Sequence, residues 1–210
     1  MKVLVLGGAG YIGSVLCKYL MEHGDKVIVM DNLLYETGKK ITVAGEFIFG
    51  DIRNLRDLIE SIEAVDAVVN LAAISNDPAS DLQPELTWEI NFKANETIAA
   101  LFKASGKRVI FASSCSVYGF AKSGQFSEKS ELNPVTLYAR TKMLSEKFYL
   151  EDDVNSIILR LATVYGYSKK PRFDLVVNTM IGTSYFQGQV VVNGGKQWRP
   201  IIHVGDVAKA

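Results

Sequence analysis

Tyr138-Ala139-Arg140-Thr141-Lys142 places a phenol and an amine four residues apart. On a helix these positions share one face. A phenol of free pKa ~10 becomes a base near neutral pH only beside a cation and hydrogen-bond donors. Lys142 is placed to supply that cation, although the same pair alone is also the pattern of a surface contact. A second constellation opens the chain. Gly7-Gly8-Ala9-Gly10-Tyr11-Ile12-Gly13 carries glycines at the spacing G-x-x-G-x-x-G. Gly7 permits a tight turn, Gly10 a close approach of backbone to a pyrophosphate, and Gly13 close packing of the next helix near a sheet. The start of that helix offers free N–H groups and a partial positive charge to an anion. Asp31 lies 18 residues beyond Gly13. A carboxylate there accepts hydrogen bonds from an adenosine ribose and repels a 2′-phosphate. No arginine follows in Asn32-Leu33-Leu34, so the expected cofactor is NAD.

Residues of these kinds need a frame. Val3–Leu6 is a short apolar run bounded by glycines and reads as a buried strand. Tyr11–Glu22 has helical periodicity through Ile12, Val15, Leu16, Tyr19 and Leu20, with Gly24 as its stop, and Lys26–Met30 is a second buried strand. The alternation continues: strands at Glu46–Phe49, Asp66–Leu71, Arg108–Ala112 and Ser156–Leu161, and helices at Leu55–Ile62, Glu85–Lys103 and Thr136–Leu150. Strands alternating with helices imply a doubly wound, Rossmann-type α/β fold with a parallel sheet. Residues 1–166 are read as this cofactor domain and 167–210 as part of a smaller substrate lobe. That lobe is expected to hold a helix at Phe173–Phe186, a short strand at Gln189–Val192 and a strand-like run at Ile201–Val204.

Phe111-Ala112-Ser113-Ser114-Cys115-Ser116-Val117-Tyr118-Gly119 ends one of the strands. Taken with the glycine loop and the Tyr/Lys pair, it resembles the extended short-chain dehydrogenase/reductases, which act on nucleotide sugars as epimerases, dehydratases, decarboxylases and ketoreductases. The resemblance runs along the chain. It implies that Asp51-Ile52 contacts adenine, that Leu71-Ala72-Ala73 lines the nicotinamide side, and that Asn91 supports the cofactor site. Tyr11, Ile12 and Asn32 join the cofactor set. It also implies that Tyr138 is the base, that Lys142 lowers its pKa and holds the nicotinamide ribose, and that Ser114 hydrogen-bonds the reacting oxygen. Ser75, Ser116, Thr163, Asn178 and Arg199 are the substrate candidates, Arg199 within Trp198-Arg199-Pro200-Ile201-Ile202-His203-Val204-Gly205-Asp206-Val207-Ala208. His203 reads as structural and Cys115 as a small buried residue.

Cys115 and Ser116 occupy positions where dehydratases of this type carry Asp-Glu and decarboxylases a Glu. The expected reaction is therefore epimerisation of a nucleotide sugar through a keto-sugar. An NAD(P)-dependent keto-sugar reductase, or a catalytically silent NAD-binding scaffold, is the alternative. Thr163 stands where sugar epimerases usually carry a substrate-binding Asn, and the segment at 172–178 departs from their usual run, so the sugar stays open. Such proteins continue beyond the H-V-x-D-x-A segment, and the substrate lobe of a chain ending at Ala210 is expected to be incomplete, with exposed apolar faces. They also often dimerise through the helices matching Glu85–Lys103 and Thr136–Leu150, and a homodimer with a four-helix contact is expected here.

The remaining composition excludes other classes. With 23 basic and 23 acidic residues and no charge run, nothing points to nucleic acid. Two cysteines suit a reduced, cytoplasmic setting. The apolar start at Met1–Leu6 is broken by glycines too early for a signal peptide, and no stretch approaches the roughly 18 apolar residues of a membrane span. No metal site is expected.

Overall fold

The computed structural model describes residues 1–35, 42–120, 124–151, 153–192 and 194–210. β1 (Lys2–Leu6) and β2 (Lys26–Asp31) are buried along most of their length, which suits Val/Leu/Ile runs covered on both faces. They are joined by α1 (Tyr11–Glu22). Gly24 stops that helix at φ +88°, a backbone state that a glycine enters without a Cβ clash. β3 (Glu46–Phe49), α2 (Leu55–Glu63) and β4 (Ala67–Asn70) follow. Then come α3 (Asp77–Leu82), α4 (Pro84–Trp88), one π-helical turn (Glu89–Lys93) and α5 (Ala94–Ser105). β5 (Arg108–Ser114) leads through a 3₁₀ turn (Cys115–Tyr118) to α6 (Leu137–Tyr149) and β6 (Ser156–Leu161). Thr136 caps α6 by accepting from Ala139 N at 3.1 Å.

The six strands form one parallel sheet in the order β3-β2-β1-β4-β5-β6. The order reverses between β1 and β4, and ligands of such sheets bind outside the strand C-termini at that point. Side chains alternate across β1. Leu4 and Leu6 pack with Leu58, Ile98, Phe102 and Phe111 on one face. Val3 and Val5 pack with Leu16, Cys17, Val27 and Val29 on the other.

The periodic segments appear as expected, and four differences have physical causes. The helix expected over Glu85–Lys103 is broken by the π turn, and π turns concentrate at functional sites. Phe173–Phe186 starts late, as α7 (Val176–Gln187), because Arg172 and Asp174 pair in the turn before it. The strand expected at Gln189–Val192 is absent; those residues are exposed and lie in no sheet. β7 (Thr163–Tyr165) instead pairs in parallel with β8 (Ile201–His203), and Val204 opens α8 (Val204–Lys209) rather than ending a strand. α8 packs back on the cofactor side of the molecule, with Ala208 among the Val3 and Leu16 group and Val204 and Val207 around Tyr11. Around α7, none of whose residues is buried, Tyr167, Ile181, Tyr185, Phe186, Val191 and Trp198 are exposed.

Candidate functional site

Gly7 turns the chain out of β1 at φ +74°, and a Cβ there would stand 2.7 Å from Ala72 N. The glycine loop and the loop after β4 therefore lie backbone to backbone. A Cβ at Gly13 would stand 2.5 Å from Gly8 Cα and 2.7 Å from Gly7 O, so Gly13 lets α1 start against the loop itself. Gly8, which the sequence reading left without a role, would meet Val29 Cγ1 at 2.9 Å. Gly10 differs: a Cβ there would touch only Gly7 O, at 3.3 Å. Its outer side is a cradle that a side chain would fill. α1 begins there with no acidic residue in its first turn and no side-chain cap, which leaves first-turn N–H groups for an anion.

Two variants separate these roles. Gly13→Ala is expected to cost about 1–3 kcal/mol of stability, since backbone must move to admit the methyl. Gly10→Ala is expected to keep the denaturation midpoint near wild type and weaken dinucleotide binding. Urea unfolding and NAD titration of both check this, and equal stability loss in the two variants would overturn it.

Asp31 ends β2 beside this loop. Its carboxylate accepts from Ala9 N at 3.1 Å and Leu33 N at 2.9 Å. Leu33 has φ +58°, the one non-glycine residue with positive φ among those described; strain of this kind gathers at ligand clamps. Asn32 donates to Asp51 at 2.9 Å, and Arg53 holds the same carboxylate with Nε at 3.0 Å and Nη2 at 2.7 Å. The Arg53 hydrogen bond is the main reason that the Asp51 pKa falls to about 2. Ile52, next to it, is buried.

The loop after β4 is held from below. Leu71 N donates to Leu6 O at 2.9 Å and Ala72 N to Asn70 Oδ1 at 3.2 Å. Asn91, in the π turn, accepts from Ile74 N and donates to Ile74 O, both at 2.9 Å. It thus fixes the path of Ala72-Ala73-Ile74. Asn70, Asn95 and Tyr149 complete a buried hydrogen-bonded group beneath.

Ser114 leaves β5 at the same edge of the sheet. Its Oγ accepts from Ser116 N at 3.2 Å and Ser116 Oγ at 2.9 Å. Tyr138 and Lys142 reach the edge from α6. Lys142 Nζ donates to Ala112 O at 2.8 Å, lies 4.8 Å from the Phe111 ring centroid and 6.0 Å from that of Tyr138. Burial pushes the Tyr138 phenol up to about 12, against a hydrogen bond with Ser114 and the Arg172 charge. Burial also pushes Lys142 down to about 7, against the charge of Glu146. The protein alone therefore disfavours both charged forms.

The remaining candidates divide. Ser75 accepts from Arg172 Nη1 at 3.0 Å. Thr163 lies in β7 opposite Ile201. The Asn178 carboxamide is engaged within the protein: it accepts from Gly166 N and donates to Tyr11 OH and Arg172 O. Tyr11 OH in turn donates to Gly166 O at 2.8 Å, so its ring braces α1 against the segment that follows β7. Arg199 is exposed, and its charge lowers the Cys115 thiol, which burial raises. His203 caps α8 through Nδ1 at 3.1 Å from Gly205 N. Arg172 was missed; in the sequence it only closes the polar run Lys169-Lys170-Pro171-Arg172. It grips Asp174 and Ser75, and its charge reaches Tyr11, Tyr35 and Tyr138. Among the described residues no group of His, Cys, Asp or Glu could hold a metal ion.

Residues 3–210 match the family described as NAD dependent epimerase/dehydratase. A UDP-glucose 4-epimerase of Lactobacillus helveticus is 35% identical over 175 residues, 80% of this chain and 53% of that relative. The chain thus spans about half the length of that relative. A UDP-glucuronic acid 4-epimerase from Bacillus cereus, solved with UDP-glucuronic acid and NAD, superposes with a TM-score of 0.84 at 28% identity, covering 100% of this chain and 71% of the other. A dTDP-glucose 4,6-dehydratase from Streptomyces venezuelae, solved with NAD, superposes with a TM-score of 0.86 at 27% identity, covering 100% and 70%. With its Rossmann sheet, its glycine cradle and its Ser/Tyr/Lys edge, this chain belongs to the NAD dependent epimerase/dehydratase family.

Proposed function

We propose that the chain binds NAD along the Gly7–Gly13 loop, Asp31, Asn32, Asp51, Ile52 and the Leu71–Ala73 loop. It would use Ser114, Tyr138 and Lys142 to epimerise a nucleotide sugar. The observation that carries the reaction type is the Ser114 turn, which presents Cys115 and Ser116 where a dehydratase needs carboxylates. Tyr138 takes the proton of a sugar hydroxyl, Ser114 holds that oxygen, and Lys142 stabilises the phenolate. NAD, held by the Gly7–Gly13 loop, Asp31 and Lys142, would supply a reversible hydride acceptor for the hydroxyl-bearing carbon. Ser75, Ser116, Thr163, Arg172 and Arg199 are the residues we assign to the sugar nucleotide. Asn178 is assigned to bracing, because its amide is already spent.

The test is incubation under anaerobic conditions with NAD and UDP-, dTDP-, GDP- and CDP-sugars, followed by NMR. An inverted sugar with no net NADH supports the reading. Consumption of NADH by a keto-sugar makes the protein a reductase, and NAD binding without turnover on any sugar makes it a binding protein. Asp31→Ala is expected to weaken NAD about 10-fold or more, since a hydrogen bond to a charged group contributes roughly 1.5–3 kcal/mol. It should also narrow the preference over NADP. An unchanged NAD/NADP ratio would remove Asp31 from this role.

We propose further that two copies pair through α4, α5 and α6. The row formed by Trp88, Phe92 and Phe148, with ring centroids 4.6 and 5.2 Å apart, is partly exposed along that side. A monomer in light scattering overturns this. No helix among the described residues is long and apolar enough to cross a membrane. We assign the protein to the cytoplasm, where its cysteines stay reduced.

A further inference from the structure

The chemistry above makes no use of Glu146, although its carboxylate is only 2% exposed. Tyr138, Lys142 and Glu146 follow at i, i+4 and i+8 along α6 and form one stripe. Ser113 Oγ donates to Glu146 Oε1 at 2.5 Å. Arg160, from β6, takes both oxygens, with Nε at 3.0 and 3.2 Å and Nη2 at 2.6 Å. Its Nη1 donates to Tyr118 OH at 2.9 Å. Tyr118 stacks on Phe126, ring centroids 4.8 Å apart, and its ring also packs 5.0 Å from the guanidinium carbon.

Ser113 and Tyr118 flank the turn that presents Ser114. One carboxylate therefore ties together α6, the end of β5, β6 and the Ser114 turn. Replacing such a buried pair by apolar residues is often neutral for stability, so stability alone does not account for it.

We infer that Glu146 is a positioning residue for the reacting groups. It anchors the turn carrying Ser114 to the helix carrying Tyr138, and its charge favours the ammonium form of Lys142. Lys142 is faced by Tyr138 and Glu146 from α6 and by the Phe111 ring and the Ala112 carbonyl from β5. Arg160, on β6, neutralises part of the Glu146 charge. Asp77 and Arg172 act on Tyr138 rather than on Lys142. The Ala112 carbonyl and the Phe111 ring also favour an ammonium there, and among the charged side chains it is Glu146 that does so.

The inference rests on the proposed roles of Tyr138 and Lys142, but its test needs no turnover. Lysine carrying ¹³C at Cε is incorporated, and the Lys142 signal is identified by its loss in Lys142→Met. The titration midpoint of that signal is expected to fall by about one pH unit in Glu146→Gln and to recover in Glu146→Asp. An unmoved midpoint in folded Glu146→Gln overturns the electrostatic role. Tyr118→Phe leaves the ion pair and its Ser113 contact intact and cuts the link from Arg160 to the far end of the turn. It is expected to speed amide hydrogen exchange over Cys115–Gly119 by about 10-fold relative to α6, the loss of one hydrogen bond to a charged group. Unchanged protection there overturns the anchoring role, and this second variant remains informative if Glu146→Gln does not fold. A shifted midpoint with no sugar turned over would sink the proposed reaction and leave the Glu146 assignment standing.

Discussion

Replacing Tyr138 with phenylalanine is expected to reduce nucleotide-sugar turnover by about 10²- to 10⁴-fold, the range of a positioned general base, and to leave NAD affinity near wild type. The ring stays and only the hydroxyl goes. α6 keeps its Thr136 cap and its buried face, from Ala139 to Tyr149, so the helix has no reason to move. The loss falls on the one oxygen that exchanges a proton with the substrate. Lys142 and Ser114 cannot replace it. Ser114 is a weaker acid than a phenol, and its Oγ already accepts two hydrogen bonds from Ser116. The readouts are kcat with the sugar that the NMR panel identifies and NAD affinity by fluorescence titration. A kcat within roughly threefold of wild type would move the base to another residue, well outside the range for a lost general base. Loss of NAD affinity in parallel would mean that the ring has shifted and the hydroxyl was never isolated.

The fold was legible in the sequence where burial is regular. Val3–Leu6 and Lys26–Met30 are apolar on both sides, glycines punctuate them, and the helices between carry a repeating apolar stripe. These local signals are also the ones that imply a parallel sheet, while the strand order is a property of the structure. What escaped has no local signal. The π turn at Glu89–Lys93 has the composition of an ordinary helix; it is stabilised at a distance, through Asn91 on Ile74 and Ser145 on the Asn91 carbonyl. β7 is a three-residue strand that forms only because Thr163 meets Ile201 of β8, a run the sequence does mark as strand-like, across the chain. The site shows the same division. Gly7, Gly13, Ser114, Tyr138 and Lys142 sit in short motifs whose spacing encodes their geometry. Arg172 and Glu146 act through partners far along the chain, Ser75 in one case and Arg160 with Ser113 in the other, and no spacing records that. Asn178 illustrates the converse. Its residue type suggests a ligand, while its carboxamide bonds with Gly166, Arg172 and Tyr11 are what a brace would make.

Lys142→Met is expected to make the protein more stable and to remove its activity, and the stability gain should depend on pH. An unfolded lysine keeps its proton to about pH 10.4, whereas buried Lys142 gives it up near 7. Between those values the unfolded chain binds the extra proton, so wild-type stability rises with pH across that window. Below about 7 both states are charged and the full penalty of burying the ammonium is present. Methionine matches the lysine side chain as far as Cε and carries no charge. The gain over wild type should therefore be largest at pH 6, about 2 kcal/mol or more, and small at pH 10. The full separation from about 10.4 to about 7 sets a ceiling near 4–5 kcal/mol at about 1.4 kcal/mol per pH unit, and relaxation around the site reduces it. For a chain of this size 2 kcal/mol corresponds to roughly 4–8 °C in Tm. Thermal melts of both proteins at pH 6 and pH 10 decide the matter. A variant less stable than wild type at pH 6 would show that the Ala112 hydrogen bond, at 2.8 Å, outweighs the burial of the charge. A gain equal at both pH values would come from packing and not from the proton. If the gain follows pH and turnover disappears with it, the lysine is held in an unfavourable place for the sake of the chemistry, as expected where a site needs a charge that the fold resists.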